Sequence, residues 1–335
     1  MCGIVAINST VGSSFPVQLM LSSMKHRGPD DSGTFISDQH DCHFGHLRLS
    51  IIDLSPAGHQ PMSDSSNRYY ITFNGEIYNY LDLIKYLEKL YGRIKWKSAS
   101  DTEVLIEGFA REGIPFLDKL NGIFSLSIYD TEKRNMYVLR DPLGIKPLFI
   151  YKNNSSVLFC SELKGLLSLP DLKKNIRIQS LADQLAFMYV PEPHTMYKEI
   201  QKVDPGVCFT YHMGNLVNST SLFSRLNKPI SFSSEAEILE SFYNNFSSAV
   251  RKQLISDVPV SVMLSGGLDS SAVVYEIINA GAKVQDAYTI SISSKDSNYD
   301  KQSDDLYYAK IIAQQMGLNL NIIEANADFT SLLPN

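Results

Sequence analysis

Up to about residue 223 the apolar residues fall in short runs, each closed by a turn signal. They predict strands at 4–8, 43–47, 69–74, 123–129, 136–140, 148–151 and 157–160. Several runs are apolar at consecutive positions, so neither face can be turned to water. That requires stacked sheets, or sheets covered by helices. Helical spacing occurs twice in this stretch. Tyr80, Leu83, Ile84, Leu87 and Tyr91 share one face of a predicted helix at 79–91, and a second, at 102–112, is closed by Gly113.

Beyond this region the pattern changes. Pro191, Pro193 and Pro205 remove backbone donors and fix φ, so residues 189–206 read as a structured connector between domains. Residues 219–234 are polar and predict the linker, with Ser234 and Glu237 spaced as a capping box. The helix that follows sets Ile238, Leu239, Phe242, Tyr243, Phe246, Val250 and Leu254 on one side, a face that predicts packing against something large. Then come an apolar strand at 258–264, a glycine turn, a helix beginning around Ala272, a strand at 287–292, a helix at 304–316 and a strand at 319–324. Strands alternating with helices predict a doubly wound parallel sheet that binds ligands at the carboxyl ends of its strands. The expected organisation is a domain at 1–223, a linker at 224–234 and a second domain at 235–335.

A length of 335 residues agrees with two domains at roughly 150 residues each. There are 30 basic against 36 acidic residues, so the chain has no broad charge basis for gripping nucleic acid or an anionic membrane. No run approaches the ~20 apolar residues that cross a bilayer. Cys2, Cys42, Cys160 and Cys208 lie far apart without a Cys-x-x-Cys pair, which argues against a zinc knuckle or a disulfide framework. A reduced, cytoplasmic setting is expected, since the first residues lack a charged region followed by an apolar one.

The start, Met1-Cys2-Gly3-Ile4-Val5, carries chemistry. Removal of Met1 would put a thiol and an α-amine on one residue, with ordinary pKa values near ~8.5 and ~8, so the amine can take the thiol proton near neutral pH. Other polar groups cluster at the ends of the apolar runs. Arg48 follows a strand and suits a substrate carboxylate as a bidentate fork. Asp101, with Glu76, suits an ammonium. The Asn74 amide and the Gly75 N–H suit a developing oxyanion, worth roughly 3–4 kcal/mol of barrier per donor. Singly, each also has an ordinary explanation: a surface cation at Arg48, a type I′ hairpin turn at Asn74-Gly75, a helix N-terminal charge at Asp101. Together with Cys2 they form the set a glutamine amide hydrolase needs.

The blocks Cys2-Gly3-Ile4, His26-Arg27-Gly28-Pro29-Asp30, Arg48-Leu49-Ser50-Ile51-Ile52-Asp53, Phe73-Asn74-Gly75-Glu76-Ile77-Tyr78-Asn79 and Ser100-Asp101-Thr102-Glu103 resemble the class II glutamine amidotransferase domain. Arg140-Asp141-Pro142-Leu143-Gly144-Ile145-Lys146-Pro147-Leu148 and Ser161-Glu162-Leu163-Lys164 extend the match. The resemblance implies an αββα N-terminal-nucleophile hydrolase sandwich and a γ-glutamyl thioester on Cys2, released by water. It also carries Leu49, Ile51 and Ile52 into the glutamine pocket, positions that the residues alone assign to an ordinary strand.

A second centre follows the apolar strand: Ser265-Gly266-Gly267-Leu268-Asp269-Ser270-Ser271 opens a helix. Free N–H groups and the helix dipole converge there on an anion. Without a lysine after the glycines it is not a Walker loop, but it resembles the pyrophosphate loop of ATP pyrophosphatases, which transfer AMP to a carboxylate. That resemblance implies nucleotide contacts at Leu264, Ser265, Gly266, Gly267, Asp269, Ser270 and Ile290, with Asp269 near a Mg2+ that bridges the phosphates.

The two halves in this order are similar to glutamine-hydrolysing asparagine synthases, ligases with glutamine, aspartate and ATP as substrates and Mg2+ as cofactor. In that family ammonia from the first site attacks β-aspartyl-AMP at the second. The family's later block, Ser-Gly-Glu-Gly-Ser-Asp-Glu, is not present, and only three strand–helix units follow the linker. The expected result is a partial α/β synthetase domain beside an intact glutaminase. Two other readings stand beside it: a different acceptor carboxylate, or a non-catalytic glutamine- or nucleotide-binding remnant. Members of the family often pair, which leaves a homodimer open.

Overall fold

The computed structural model of the chain describes residues 1–10, 12, 14–292 and 305–325. It divides into two compact units, Met1–Pro229 and Ile230–Asn335.

The strands of the first unit are β1 (Gly3–Ser9), β2 (Asp31–Ile36), β3 (Cys42–Arg48), β4 (Met62–Ser63), β5 (Tyr69–Ile77), β6 (Gly122–Asp130), β7 (Asn135–Arg140), β8 (Phe149–Lys152), β9 (Ser156–Cys160), β10 (Ile200–Lys202), β11 (Val207–His212) and β12 (Asn215–Ser221). They form two antiparallel six-stranded sheets, in the orders β10-β8-β9-β1-β3-β2 and β12-β11-β7-β6-β5-β4. Helices α1 (Val17–Ser23), α2 (Tyr80–Tyr91), α3 (Asp101–Glu112), α4 (Leu163–Leu167) and α5 (Ile178–Phe187) accompany them.

Strand β1 shows why its apolar run is continuous. Ile4 and Ala6 point into the layer between the sheets, with Phe44, Val138, Phe159 and Tyr211. Val5 and Ile7 point the other way, against Met20 and Leu21 of α1 and Leu166 of α4. A strand covered on both faces needs no polar alternation. On the outer face of the second sheet, Phe109 of α3 meets the rings of Tyr69 on β5 and Tyr137 on β7 edge-on. The result is the four-layer αββα sandwich expected from the sequence.

In the second unit, β13 (Val262–Met263), β14 (Asp286–Ile292) and β15 (Asn319–Ala325) form a parallel sheet in that order. Helices α6 (Glu235–Lys252), α7 (Leu268–Asn279) and α8 (Asp305–Met316) accompany it. Leu264, Val274, Ile277, Ala287, Ala309 and Leu318 make its core.

Several expectations change. The Asn74-Gly75 turn does not exist, because β5 continues to Ile77 and pairs Asn74 with Ser125 and Gly75 with Phe124. The proline-rich stretch lies inside the first unit, since β11 and β12 follow it, and β12 runs through Ser219 to Ser221, so the polar run from 219 is strand before it is linker. Residues 258–264 yield only the two-residue β13, with Pro259 unable to donate to a ladder. On α6, Phe246 packs against the unit's core beside buried Val250, as does Leu254 just past the helix end, while Ile238, Leu239, Phe242 and Tyr243 are exposed. The capping box at its start is half formed. Glu237 N donates to Ser234 Oγ at 3.2 Å, but the Glu237 carboxylate accepts from Ser233 N at 2.7 Å.

Candidate active site

The register of β1 against β3 pairs Gly3 with Leu47, so Cys2 and Arg48 emerge side by side at one end of the first sheet. Around them lies a cavity of about 230 Å³. Cys2, Arg48, Leu49, Ile51, Ile52, Asn74, Gly75, Glu76 and Asp101 all line it, together with Met1, Gln60, Phe73, Thr102 and Lys146. Every residue that the sequence placed in the glutamine site therefore shares one cavity.

The thiol is held at the strand end. Leu49 N donates to Cys2 Sγ at 3.5 Å, and Arg27 Nε donates to the Cys2 carbonyl at 2.8 Å. Arg27 also pairs with Glu162 at 2.9 Å, and Ser161 Oγ accepts the Ile4 N–H at 2.9 Å. Gly28 lets this turn close on β3: a Cβ there would sit 2.3 Å from the carbonyl carbon of Leu47. The blocks 26–30 and 161–164, given no individual role by the sequence reading, thus clamp the start of the chain. Burial raises the Cys2 thiol pKa, against the opposing pull of the Leu49 N–H. Burial also lowers the pKa of the terminal amine, here that of Met1. Both groups are thereby favoured in their neutral forms.

Arg48 is buried, and its guanidinium donates to the carbonyls of Ser55 (3.0 Å), Ile52 (3.4 Å) and Asp53. Those bonds fix the plane of the fork and leave other N–H groups for a ligand. Opposite, the Asn74 side-chain amide nitrogen is buried with no hydrogen-bond partner among the described residues. A buried amide donor without an acceptor is costly, and its position in the cavity wall suits a ligand oxygen. A Cβ on Gly75 would meet the Ile123 carbonyl oxygen at 2.2 Å, so only glycine permits this strand approach.

Asp101 opens α3, where Ser100 caps the helix through Thr102 N. Its Oδ2 accepts the Ile77 N–H at 2.9 Å. Burial, opposed by that hydrogen bond and reinforced by the charge of Glu76, pushes the Asp101 carboxyl up to about 6. Burial likewise raises Glu76.

Lys146 and Gln60 also line the cavity, with no role assigned to them from the sequence. Lys146 sits on a loop organised by Asp141, whose carboxylate accepts the N–H groups of Leu143 (3.1 Å), Ile145 (3.0 Å) and Lys146 (2.9 Å). Burial lowers the Lys146 pKa while the charge of Glu76 opposes. The block at 140–148 was the available signal. Gln60 is the other, and nothing in its local sequence singles it out.

In the second unit the loop after β13 turns through Gly266 at φ +85°, where a Cβ would come 2.3 Å from the Asp305 carbonyl oxygen. Ser265 Oγ and Ser270 Oγ lie 3.0 Å apart, and Ser271 Oγ donates to Gly267 O at 2.6 Å. Asp269 stands in the first turn of α7, exposed, as is Ile290 near the carboxyl end of β14. Leu264 is fully buried in the core. Its backbone is covered as well, and its N–H donates to the Tyr288 carbonyl at 2.8 Å, so the structure gives Leu264 no free group for a nucleotide. Among the described residues no three His, Cys, Asp or Glu side chains converge as a metal site. A lone carboxylate fits a magnesium ion held mainly by nucleotide phosphates and water, and does not fit an all-protein cage. No helix among the described residues is long and apolar enough to cross a membrane.

An αββα sandwich with a thiol on its first residues, in one cavity with an arginine, an unpartnered amide donor and a carboxylate, defines an N-terminal-nucleophile type of fold. The family model described as glutamine amidotransferase domain matches residues 1–222, and that of asparagine synthase matches 241–335. The chain belongs to the glutamine amidotransferase family, in the group that joins this domain to an asparagine synthase domain. Asparagine synthetase (glutamine-hydrolyzing) 1 of Bacillus subtilis is 36% identical over 285 residues, covering 82% of this chain and 43% of the relative. Amidase chry2 of Gibberella zeae is 31% identical over 356 residues, covering 98% of this chain and 51% of the relative. The chain thus spans about half the length of these relatives. A solved structure of the allosteric regulatory enzyme of purine biosynthesis aligns with a TM-score of 0.50 at 15% identity, over 96% of this chain and 80% of that one. That likeness concerns the fold alone.

Proposed function

We propose that the first unit hydrolyses L-glutamine to glutamate and ammonia. After removal of Met1, the α-amine of Cys2 takes the thiol proton as sulfur attacks the carboxamide carbon. The Asn74 amide and the Gly75 N–H receive the oxyanion, and the proton returned by the amine lets ammonia leave. Water then attacks the thioester and releases glutamate. Arg48 takes the α-carboxylate, and Asp101 with Glu76 takes the α-ammonium, while Leu49, Ile51 and Ile52 line the wall beside them.

The observation that carries this reading is the buried, unpartnered Asn74 amide in the same cavity as the Cys2 sulfur. Ammonia release from glutamine tests it. The wild type should turn over and Cys2→Ala should be silent; a wild type that binds glutamine without turnover would leave only a binding protein.

For the second unit we propose MgATP binding at residues 265–270, with Asp269 held near the phosphate-bound magnesium, which supplies charge neutralisation when present. The Ser265-Gly266-Gly267 backbone and the N-terminus of α7 would take the phosphates. Within a complete synthetase this site would adenylate the side-chain carboxylate of aspartate, and ammonia would convert it to asparagine. Amidation of another carboxylate is the second reading, since a relative matched along 98% of this chain has a description that does not name asparagine. Acceptor screening with ATP and ammonia separates the two.

A further inference from the structure

We propose that Gln60 is a positioning residue that sets the side-chain length the first cavity accepts, and so selects glutamine over asparagine. The inference rests on the glutaminase reading above. Gln60 is only 5% exposed and spans two walls. Its Oε1 accepts the Phe73 N–H at 2.8 Å, one residue before Asn74. Its Nε2 donates to Thr102 Oγ1 at 3.3 Å, one residue after Asp101. The orientation of this amide is fixed by chemistry, because a backbone N–H can only donate and the oxygen must face Phe73. Having accepted from Gln60, the Thr102 hydroxyl turns its proton to Asp101 Oδ1, 3.4 Å away.

Neighbouring bonds stiffen the same bridge. The Phe73 carbonyl accepts from His46 Nε2 at 3.1 Å. Asp53, on the loop that leads to Gln60, accepts the Ala99 N–H at 2.8 Å just before α3. The amide end of the site at Asn74 and the amino-acid end at Asp101 belong to β5 and α3, and one buried side chain ties these elements together. Glutamine and asparagine differ by one methylene, a displacement of about 1.5 Å or less between carboxamide and α-ammonium. An error of about 1 Å at the reacting carbon can cost ~10²-fold in rate. Discrimination therefore depends on how firmly the two ends are held apart.

The test is steady-state hydrolysis of L-glutamine and L-asparagine by the whole chain, with thermal melts to confirm folding. In Gln60→Leu and Thr102→Val the ratio of kcat/KM for glutamine over asparagine should fall at least tenfold, mostly through loss with glutamine. Thr102→Ser keeps the hydroxyl and should keep the wild-type ratio. An equal fall for both substrates, leaving the ratio unchanged, is the signature of a merely structural role and overturns the proposal. If Gln60→Leu does not fold, the Thr102→Val and Thr102→Ser pair decides alone. A wild type without glutamine turnover would overturn the underlying reading instead, before any variant is compared.

Discussion

The Asp101 carboxylate accepts the backbone N–H of Ile77 at 2.9 Å, joining the first turn of α3 to the end of β5. A carboxylate committed to a backbone donor and buried in a cavity is fixed in position but not in charge. Its pKa of about 6 makes that charge dependent on pH near neutrality. Since the α-ammonium of glutamine needs the ionised form, kcat/KM should fall as pH drops through about 6. Asp101→Asn, which can still accept from Ile77, should raise KM about 10- to 100-fold.

The same carboxyl carries a stability signature. A folded pKa above the ordinary 3.8 means that the native state holds the proton more tightly, so ionisation costs stability as pH rises from about 4 to 6. Asp101→Asn should therefore be more stable than wild type at pH 8, by up to roughly 3 kcal/mol, with the gain shrinking towards pH 4. Denaturant melts at several pH values check this. A variant that is less stable at pH 8 would show that the Asp101 charge is supported by its surroundings.

Asn74→Ala removes a donor made useful only when the carboxamide oxygen gains charge. It should lower kcat about 10²- to 10³-fold with little change in KM. A rise in KM at constant kcat would instead make Asn74 a ground-state binding group.

At the clamp on the chain start, Gly28→Ala places a Cβ 2.3 Å from the Leu47 carbonyl carbon, where only backbone movement can relieve it. The variant should lose roughly 1–3 kcal/mol of stability. It should also lose glutaminase activity, because the same turn carries Arg27 to the Cys2 carbonyl. Full activity in a destabilised protein would separate the clamp from the site.

In the second unit, Gly266→Ala combines a φ of +85° with a Cβ 2.3 Å from the Asp305 carbonyl oxygen. MgATP binding by calorimetry should be lost. Retained affinity would place the nucleotide elsewhere.

How much of this was legible in the sequence depended on what kind of signal each residue leaves. Strands such as β1 and β9 announce themselves because both faces are buried, so apolar residues run together. Strand β2, Asp31–Ile36, alternates partly buried with exposed positions and is mostly small and polar, and β12 is almost wholly exposed, so neither produces an apolar run. The cavity residues were readable as blocks because the chemistry requires unusual types at strand ends. Gln60 was not, since its meaning comes from bonds to Phe73 and Thr102 across sequence separations, whereas Lys146 lay inside the block at 140–148 and gained a place in the cavity only from the loop that Asp141 gathers. The exposed half of α6 is the converse case, where periodicity reports an apolar face but not what covers it.

The central claim is that a terminal amine and the adjoining sulfur of Cys2 act together on a glutamine carboxamide. Intact-mass and peptide analysis after incubation with a glutamine analogue that carries an electrophile in place of the side-chain carboxamide addresses it directly. The account predicts one covalent adduct, on the sulfur of a chain that begins at Cys2, and none on Cys2→Ala. An unlabelled Cys2, or an active and labelled protein that still carries Met1, would contradict it.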